Sequence, residues 1–169
     1  MAKNDRPSGP VTALQRTLTH RLHTLHKLSD RVSQAAYLDD AKMSMSEGRC
    51  LAAIGAFEPL SINDLAHGAN LNKGQASRAA QALVDAGLVR KGADDQDGRG
   101  VVLSLTAKGR AQWKRVMHLI ERRNEEIFGC LSADERERFG DALDRLIAQA
   151  RADLVNQATL RSTATQAVT

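Results

Sequence analysis

The stretch of sequence that decides the fold is residues 78–108, RAAQALVDAGLVRKGADDQDGRGVVLSLTAK. Its first part has the composition of a helix and stops at Gly87, and glycine is the residue that most often follows a helix C-terminus. Two short apolar runs then enclose a polar tip, as the strands of a hairpin enclose their turn. The order helix, strand, polar tip, strand predicts a winged helix-turn-helix, a mainly α fold with a small β-hairpin wing.

The residues ahead of this stretch predict the other helices of the same lobe. Ser46 is a suitable N-cap for one helix, which has to end before Pro59 because the residue ahead of a proline disfavours helical backbone. Ser61 caps a short second helix. Asn70 tolerates the left-handed conformation that a turn between helices needs, and Asn72 then caps the third helix.

Long amphipathic helices are predicted on both sides of the lobe. Between residues 11 and 41, apolar residues recur every three or four positions, which is the period of one continuous helix. They are Leu14, Leu18, Leu22, Leu25, Leu28 and Val32. Thr106 caps a helix after the hairpin, and Ser132 with Glu135 forms a capping box that opens the last helix. These apolar stripes are longer than one small lobe can cover, so they predict a homodimer.

Together the elements make one winged helix-turn-helix domain over residues 11–155. A flexible arm precedes the domain, and a flexible tail that is poor in apolar residues follows it. In chain order the predicted parts are the arm (1–10), the first dimerisation helix (11–41), the DNA-binding lobe (46–106), the remaining dimerisation helices (107–155) and the tail (156–169).

Positive charge is concentrated around the predicted recognition helix and hairpin. The chain has 24 basic and 20 acidic residues, a net charge of +4, and a sequence pI of about 9.4. Residues 72–110 carry seven basic and four acidic side chains, whereas residues 37–71 carry two and five. This distribution suits a polyanionic partner.

The cysteines and the hydropathy pattern bear on the compartment. Cys50 and Cys130 lie far apart, without the spacing of metal ligands, which indicates a reducing compartment and no disulfide framework. The sequence has no apolar run long enough to span a membrane and no signal-peptide pattern. We therefore expect a cytoplasmic protein that needs no metal and no cofactor. An enzyme is disfavoured, because no Ser/His/Asp order, phosphate-binding glycine loop or metal-ligand spacing is present.

The predicted recognition helix has hydrogen-bond donors at the end that would enter the major groove of DNA. The residues expected to contact DNA from this helix are Lys73, Gln75, Ser77, Arg78 and Gln81. At the wing tip, Arg99 is expected to insert into the narrow minor groove, which attracts arginine. Asp97 would hold its guanidinium with a charge-assisted hydrogen bond. For the helix taken alone, an ordinary solvated surface helix is the alternative interpretation.

In these residues the chain resembles the MarR-type winged helix-turn-helix regulators, from about Met45 to Gly109. The residues that carry the resemblance are Leu65-Ala66, 72–78 (NKGQASR), Leu83, 86–89 (AGLV), the Asp97-Gly98-Arg99 tip and 103–109 (LSLTAKG). Asp-x-Arg combined with Leu-Thr-x-x-Gly at this spacing is fairly specific. The resemblance implies a homodimeric repressor whose first, fifth and sixth helices form the interface. Many such proteins respond to a phenolic or aromatic acid bound between that interface and the DNA-binding lobe.

Two positions depart from the pattern of that family. Members often have an aromatic residue before the arginine of the second helix, where this chain has Gly48 before Arg49. The missing ring would either enlarge a cavity there or loosen the helix. The redox sensors of the family have a cysteine near the start of the first helix, and this chain has none there. Cys50, in the second helix, fits better as a small buried residue.

The first helix supplies most of the residues expected to bind an effector. At about 100° per residue, Arg21 falls within the apolar face, where a charge has to be paired. The partner is either an acidic group across the dimer or an acidic ligand. His20 and His23 share a polar face that suits a pocket, whereas His20, His23 and His26 fan too widely to hold a metal. The full set expected at the effector site is Arg21, His20, His23, Gly48, Arg49 and Trp113.

The function expected from the sequence is that of a homodimeric, sequence-specific transcriptional regulator. It would repress from a pseudo-palindromic operator in double-stranded DNA, and a small aromatic or phenolic acid would release it. The alternative is a winged-helix protein-interaction module without specific DNA binding.

Overall fold

The computed structural model describes residues 12–93 and 100–166, with side chains as far as residue 157. These residues form helices and one two-stranded antiparallel sheet, so the predicted fold class, mainly α with a hairpin wing, is confirmed. The elements are α1 (Ala13–Arg16), α2 (Leu18–Asp40), α3 (Met45–Phe57), α4 (Ile62–Gly68), α5 (Lys73–Asp85), β1 (Val89–Ala93), β2 (Val101–Leu105), α6 (Ala107–Phe128) and α7 (Ala133–Gln166). One compact unit ends at Arg123 and a second begins at Asn124.

The first predicted helix is interrupted at Thr17. The backbone of Thr17 is extended (φ −68°, ψ 142°), and its hydroxyl oxygen accepts a hydrogen bond from the N–H of His20 at 3.3 Å. Thr17 therefore closes α1 and caps α2, because a threonine hydroxyl competes for backbone groups and favours caps over helix interiors. The single helix predicted over 11–41 is wrong in this respect, since apolar periodicity continues through a break of one residue.

The N-cap of α3 is Ser44, and the prediction of Ser46 is wrong. The Ser44 hydroxyl accepts from the N–H of Glu47 at 3.2 Å, and the Glu47 carboxylate accepts from the N–H of Ser44 at 2.7 Å. This reciprocal pair is a capping box, which needs a glutamate three residues after the cap. Ser44 has that glutamate, whereas Ser46 is followed at the same distance by Arg49.

The other predicted caps within the described residues are confirmed. Ser61, Asn72 and Ser132 each accept a hydrogen bond from the backbone N–H three residues later. Asn70 has a φ of 52°, the left-handed conformation expected of the turn between α4 and α5. The short helix, the turn and the longer helix of a helix-turn-helix therefore follow from local hydrogen bonding alone.

The last helix runs to Gln166, past the point where the sequence predicts a loose tail from residue 156. Residues 156–166 contain neither glycine nor proline, the residues that most strongly break helices. A low apolar content therefore ends the stripe without ending the helix. Residues 167–169 and residues 1–11, which include the whole predicted arm (1–10), lie outside the described residues.

The core of the first unit lies between α3, α4, α5, the hairpin and the part of α6 that belongs to this unit. Its largest fully buried side chains are Leu51, Ile54, Leu65, Leu83, Val89, Val116 and Cys50. The hairpin pairs Val89 with Leu105 and Ala93 with Val101. Leu60, between α3 and α4, adds two backbone hydrogen bonds to Leu103, at 2.9 and 3.2 Å. The wing is thus attached to the segment between α3 and α4 through the middle of β2.

The recognition helix α5 ends in a glycine cap. Gly87 has a φ of 69° and donates its N–H to the carbonyl of Val84 at 2.9 Å, while the N–H of Leu88 reaches the carbonyl of Leu83 at 2.9 Å. These two bonds are those of a Schellman motif, which needs a left-handed residue at the glycine position. Leu88 is buried and leads directly into β1.

Thr106 joins this cap to the start of α6. Its hydroxyl donates to the carbonyl of Gly87 at 2.8 Å and accepts from the N–H of Gly109 at 2.9 Å, while its N–H donates to the carbonyl of Leu88 at 3.0 Å. A Cβ on Gly109 would lie 1.9 Å from the Leu88 carbonyl oxygen. The motif Leu-Thr-x-x-Gly therefore has a physical reason: threonine caps α6, and glycine allows that helix to touch the backbone behind the recognition helix.

We predict that Gly109→Ala destabilises the protein by about 1–3 kcal/mol or more, the usual cost of overpacking, because the carbonyl it would meet is rigid backbone. The matched control is Gly74→Ala in α5, where a Cβ meets nothing closer than 3.5 Å. That change should be neutral or stabilise by about 0.5–1 kcal/mol through helix propensity. Urea denaturation at one fixed protein concentration measures both, and equal stability of Gly109→Ala and the unaltered protein would contradict the packing argument.

Candidate functional site

The helix α5 presents one polar face to solvent. Its buried positions, Ala76, Ala79, Ala80 and Leu83, face the core, and three of the four are alanines, which lets the helix lie close to its neighbours. All five side chains predicted to contact DNA from this helix are exposed on the other side: Lys73, Gln75, Ser77, Arg78 and Gln81. The structure therefore brings this part of the predicted site together on one surface.

Gln75 has a structural task on that surface. Its amide oxygen accepts the N–H of Asn72 at 3.2 Å, and the Asn72 oxygen accepts the N–H of Gln75 at 2.8 Å, which makes a capping box at the start of α5. The cap uses the oxygen of the Gln75 amide and not its N–H groups. Gln75 can therefore cap the helix and donate hydrogen bonds to a partner at the same time.

Gln81 is tied to the wing. Its amide oxygen accepts a hydrogen bond from the Lys91 ammonium of β1 at 2.7 Å, and its amide nitrogen donates to the carboxylate of Asp85 at 2.7 Å. These two bonds fix the direction of the amide and join α5 to the first strand of the hairpin. Gln81 thus holds the helix and the wing together, a role that the sequence did not suggest.

The wing carries further positive charge on its described part. Arg90 and Lys91 are both exposed on β1. Two residues predicted to contact DNA at the wing tip, Asp97 and Arg99, lie outside the described residues. Within the described residues, the candidate nucleic-acid surface therefore consists of the exposed face of α5 and the exposed side of β1.

A second candidate site is a cavity of about 610 Å³ in the first unit. That volume falls within the usual range for small-molecule sites. Its walls are mainly small or apolar side chains, with three polar groups among them. The lining residues are His26, Arg49, Ala52, Ala53, Ala56, Phe57, Gly68, Ala69, Asn70, Met117 and Ile120.

Arg49 is the cation of this cavity, and it is paired within the chain. Its guanidinium lies 3.1 Å from the carboxylate of Asp30 on α2, and the other oxygen of Asp30 lies 3.4 Å from the imidazole of His26. The pair joins α2 to α3 at one wall of the cavity. Both Asp30 and Arg49 are about one-third exposed, so the ion pair is partly shielded from water.

The space expected beside Gly48 is filled. A Cβ on Gly48 would lie 2.2 Å from the ring of Tyr37, and Tyr37 is itself buried. Burial raises the pKa of the Tyr37 phenol, and the nearby Arg49 guanidinium acts in the opposite direction. An aromatic ring therefore does lie next to the arginine, supplied by α2 instead of by the preceding residue of α3. The enlarged cavity that we expected at Gly48 is absent.

Trp113 packs against α3. A Cβ on Gly55 would lie 2.4 Å from the indole ring, and the indole N–H donates to the carbonyl of Ala52 at 3.3 Å. The ring thus fills the groove that glycine leaves in α3, which fixes α6 against that helix. Trp113 is not among the residues that line the cavity.

The three effector residues predicted on the first helix are not on the cavity wall either. Arg21 and His23 are exposed, and His20 is partly exposed. The Arg21 guanidinium donates to the carbonyl of Gln15 at 3.4 Å, one to two turns before it. Their role in binding an effector stays a prediction.

His26, which lines the cavity, and Asp30, which pairs with it, were not predicted from the sequence to belong to this site. They are four residues apart on α2, the spacing at which side chains on a helix meet. That spacing was visible in the sequence, but the partner across from it, Arg49, is known only from the packing of α2 on α3.

Cys50 is fully buried in the core. Burial, with a smaller contribution from Glu47, raises the pKa of its thiol to about 12, so the reactive thiolate is disfavoured. Across the described residues, no three His, Cys, Asp or Glu side chains are grouped so that they could hold a metal ion. Each helix in residues 12–93 and 100–166 is too short or too polar to cross a membrane.

The pair α4–α5 followed by the hairpin is a winged helix-turn-helix. A family model described as the MarR family matches residues 42–100, which contain α3 to β1. The HTH-type transcriptional repressor Rv2887 of Mycobacterium tuberculosis (strain ATCC 25618 / H37Rv) is 28% identical over 116 residues, 69% of this chain and 84% of the relative.

Two solved structures share the fold. A MarR-family transcriptional regulator from Silicibacter pomeroyi has a TM-score of 0.70 at 25% identity, covering 80% of this chain and 91% of that chain. The PcaV transcriptional regulator from Streptomyces coelicolor, solved with its natural ligand, has a TM-score of 0.65 at 25% identity, covering 84% and 99%. In sequence and in fold this chain is therefore similar to MarR-family transcriptional regulators. The named relatives are regulators and not enzymes.

The double role of Gln75 leads to a prediction. Gln75→Glu keeps the oxygen that caps α5, and a negative charge near a helix N-terminus is favourable, so the variant should melt at or above the temperature of the unaltered protein. It loses the amide donors and should therefore lose base preference in DNA selected from a random pool. Gln75→Ala should lose both the cap of α5 and the base preference, and its free energy of unfolding should fall by about 0.5–1 kcal/mol. An unchanged base preference in Gln75→Glu would limit Gln75 to capping.

Proposed function

We propose that the protein is a homodimeric repressor that binds a pseudo-palindromic operator and leaves it when a small organic acid binds. The observation that carries this proposal is the polar face of α5, exposed next to a basic strand, in a chain that is similar to MarR-family regulators. Because its partner would be chromosomal DNA, the protein would work in the cytoplasm. Two recognition helices would enter successive major grooves about 34 Å apart.

Exposed apolar stripes support the homodimer. The six apolar residues of α1 and α2 that repeat at helical spacing leave 41–71% of their surface exposed, and four residues of α7 leave 47–67% exposed. The residues of α7 are Leu146, Ile147, Leu154 and Val155. Single exposed apolar residues are common, but contiguous stripes of this length mark interaction surfaces. A second copy of the chain would cover them.

We predict a mass of about 37 kDa by light scattering at micromolar concentration, twice the chain mass of 18.3 kDa. Leu28→Glu places a charge in the stripe of α2 and should raise the dissociation constant of the dimer or leave an unstable monomer. Lys27→Glu, on the neighbouring polar face, should remain dimeric. A folded, monodisperse monomer of the unaltered protein would exclude the homodimer and the two half-sites.

DNA recognition would divide between the helix and the wing. Lys73, Ser77 and Arg78 are exposed on α5 and would enter the major groove, while Arg99 at the wing tip would enter the minor groove with Asp97 as its partner. Phosphate contacts supply affinity and salt dependence, whereas contacts to base edges supply specificity. Substitutions in the two sets of residues should therefore change DNA binding in different ways.

We predict that Arg78→Met relaxes base preference in DNA selected from a random pool. Arg99→Ala should instead weaken binding to all sequences and flatten the dependence of log affinity on log salt by about one unit per lost contact. Lys114→Met removes an exposed charge of α6 and serves as the control, with little expected change. Full affinity of Arg99→Ala at every salt concentration would remove the wing from the mechanism. A pool without any enriched sequence would favour the protein-interaction module.

The cavity at Arg49 is the best-supported place for the effector. It combines apolar walls with one guanidinium, which binds a carboxylate through two parallel hydrogen bonds, so it suits a small aromatic or phenolic acid. Arg21, predicted from the sequence as the anchor, is exposed and lies outside the cavity wall. Release from DNA requires that the effector bind one conformation of the dimer better than the other. A coupling of about 1–3 kcal/mol is typical.

A further inference from the structure

Asp30 occupies an unusual place beside the effector cavity. It does not line the cavity, yet its two oxygens lie 3.1 Å from Arg49 and 3.4 Å from His26, which both do. A single carboxylate thus holds two of the three polar groups of the cavity wall. The third, Asn70, is a neutral amide.

An acidic ligand at Arg49 would have to contend with this carboxylate. A guanidinium can bind one carboxylate in a two-pronged geometry, and two carboxylates close together repel each other. Because Asp30 and Arg49 are about one-third exposed, their attraction is screened less than that of a fully exposed pair. The ligand therefore has to displace Asp30 or accept its repulsion.

We propose that Asp30 is an internal counter-ion that competes with the carboxylate of the effector for Arg49 and so sets the effector concentration at which the repressor responds. This inference rests on the proposed function of the cavity and adds a specificity-determining residue to it. The ligand class is a monocarboxylate with an apolar, ring-sized body. Acids that interact only through their charge do not displace Asp30 from Arg49, whereas acids that also pack against the apolar walls do.

The test uses two probes that differ in charge and little in shape, benzoate and benzamide. Calorimetric titration of the intact protein should give an affinity for benzoate that rises fivefold or more in Asp30→Asn, while the affinity for benzamide changes less than twofold. Asp39→Asn removes an equal charge from an exposed position near the end of the same helix and should change neither affinity. In an Arg49→Met background, Asp30→Asn should bring no gain for benzoate.

Several results would overturn the proposal. A benzoate affinity that stays constant or falls in folded Asp30→Asn excludes competition, and an equal gain for both probes indicates a change of shape instead of charge. Loss of benzoate binding in Arg21→Met but not in Arg49→Met would move the anchor away from Asp30. The melting temperature of each variant is measured to check that it folds. If Asp30→Asn does not fold, Asp30→Ser replaces it.

A different set of results would show that the cavity is not an effector site. If neither the unaltered protein nor Asp30→Asn binds benzoate or benzamide, the cavity is not an effector site and the counter-ion proposal falls with it. If the unaltered protein binds benzoate at Arg49 and Asp30→Asn binds it no better, the cavity proposal stands and only the role of Asp30 is refuted.

Discussion

The close contact between Gly109 and the carbonyl of Leu88 is the constraint on which the DNA-binding lobe depends. At this point the end of the recognition helix, the first strand of the wing and the first turn of α6 meet within a few ångströms. Thr106 satisfies backbone groups of all three segments, which no apolar residue could do. Any larger residue at position 109 would separate α6 from the wing. The orientation of the recognition helix relative to the rest of the first unit therefore rests on a residue that has no side chain.

On the surface of α5, two of the residues proposed to contact DNA also have a structural task. Gln75 closes the N-terminus of the helix, and Gln81 connects the helix to Lys91 of the wing. Both residues would have been assigned to DNA contact alone on the basis of their exposure. The side chains of both residues make hydrogen bonds within the chain, and a substitution removes those bonds as well. A loss of DNA binding is therefore not by itself evidence of a base contact. Variants that keep one task and remove the other are needed to separate them.

The ion pair between Asp30 and Arg49 gives α2 a polar attachment to α3, next to the aromatic attachment made by Tyr37 over Gly48. These two contacts have opposite chemical character. Tyr37 fills a fixed space and is buried, so its position changes only if the helices separate. The ion pair is about one-third exposed, so breaking it would disturb the packing less than moving Tyr37 would. That combination would suit the proposed effector cavity, which has to be stable without a ligand and responsive to one.

The sequence by itself determined the elements of the lobe, because caps, turns and hairpin strands arise from interactions between residues a few positions apart. Asn72, Asn70, Gly87 and Thr106 could therefore be assigned from the sequence alone, whereas Ser46 and the unbroken first helix were misassigned when periodicity outweighed local capping chemistry. Of the six residues predicted to bind an effector, Arg49 lines the cavity, and the binding of an effector there stays a prediction. His26, Asp30 and the ring of Tyr37 were missed because they meet α3 in a geometry that helix packing alone decides. Tertiary structure settled which polar groups face each other, since no local pattern encodes a contact between two separate helices.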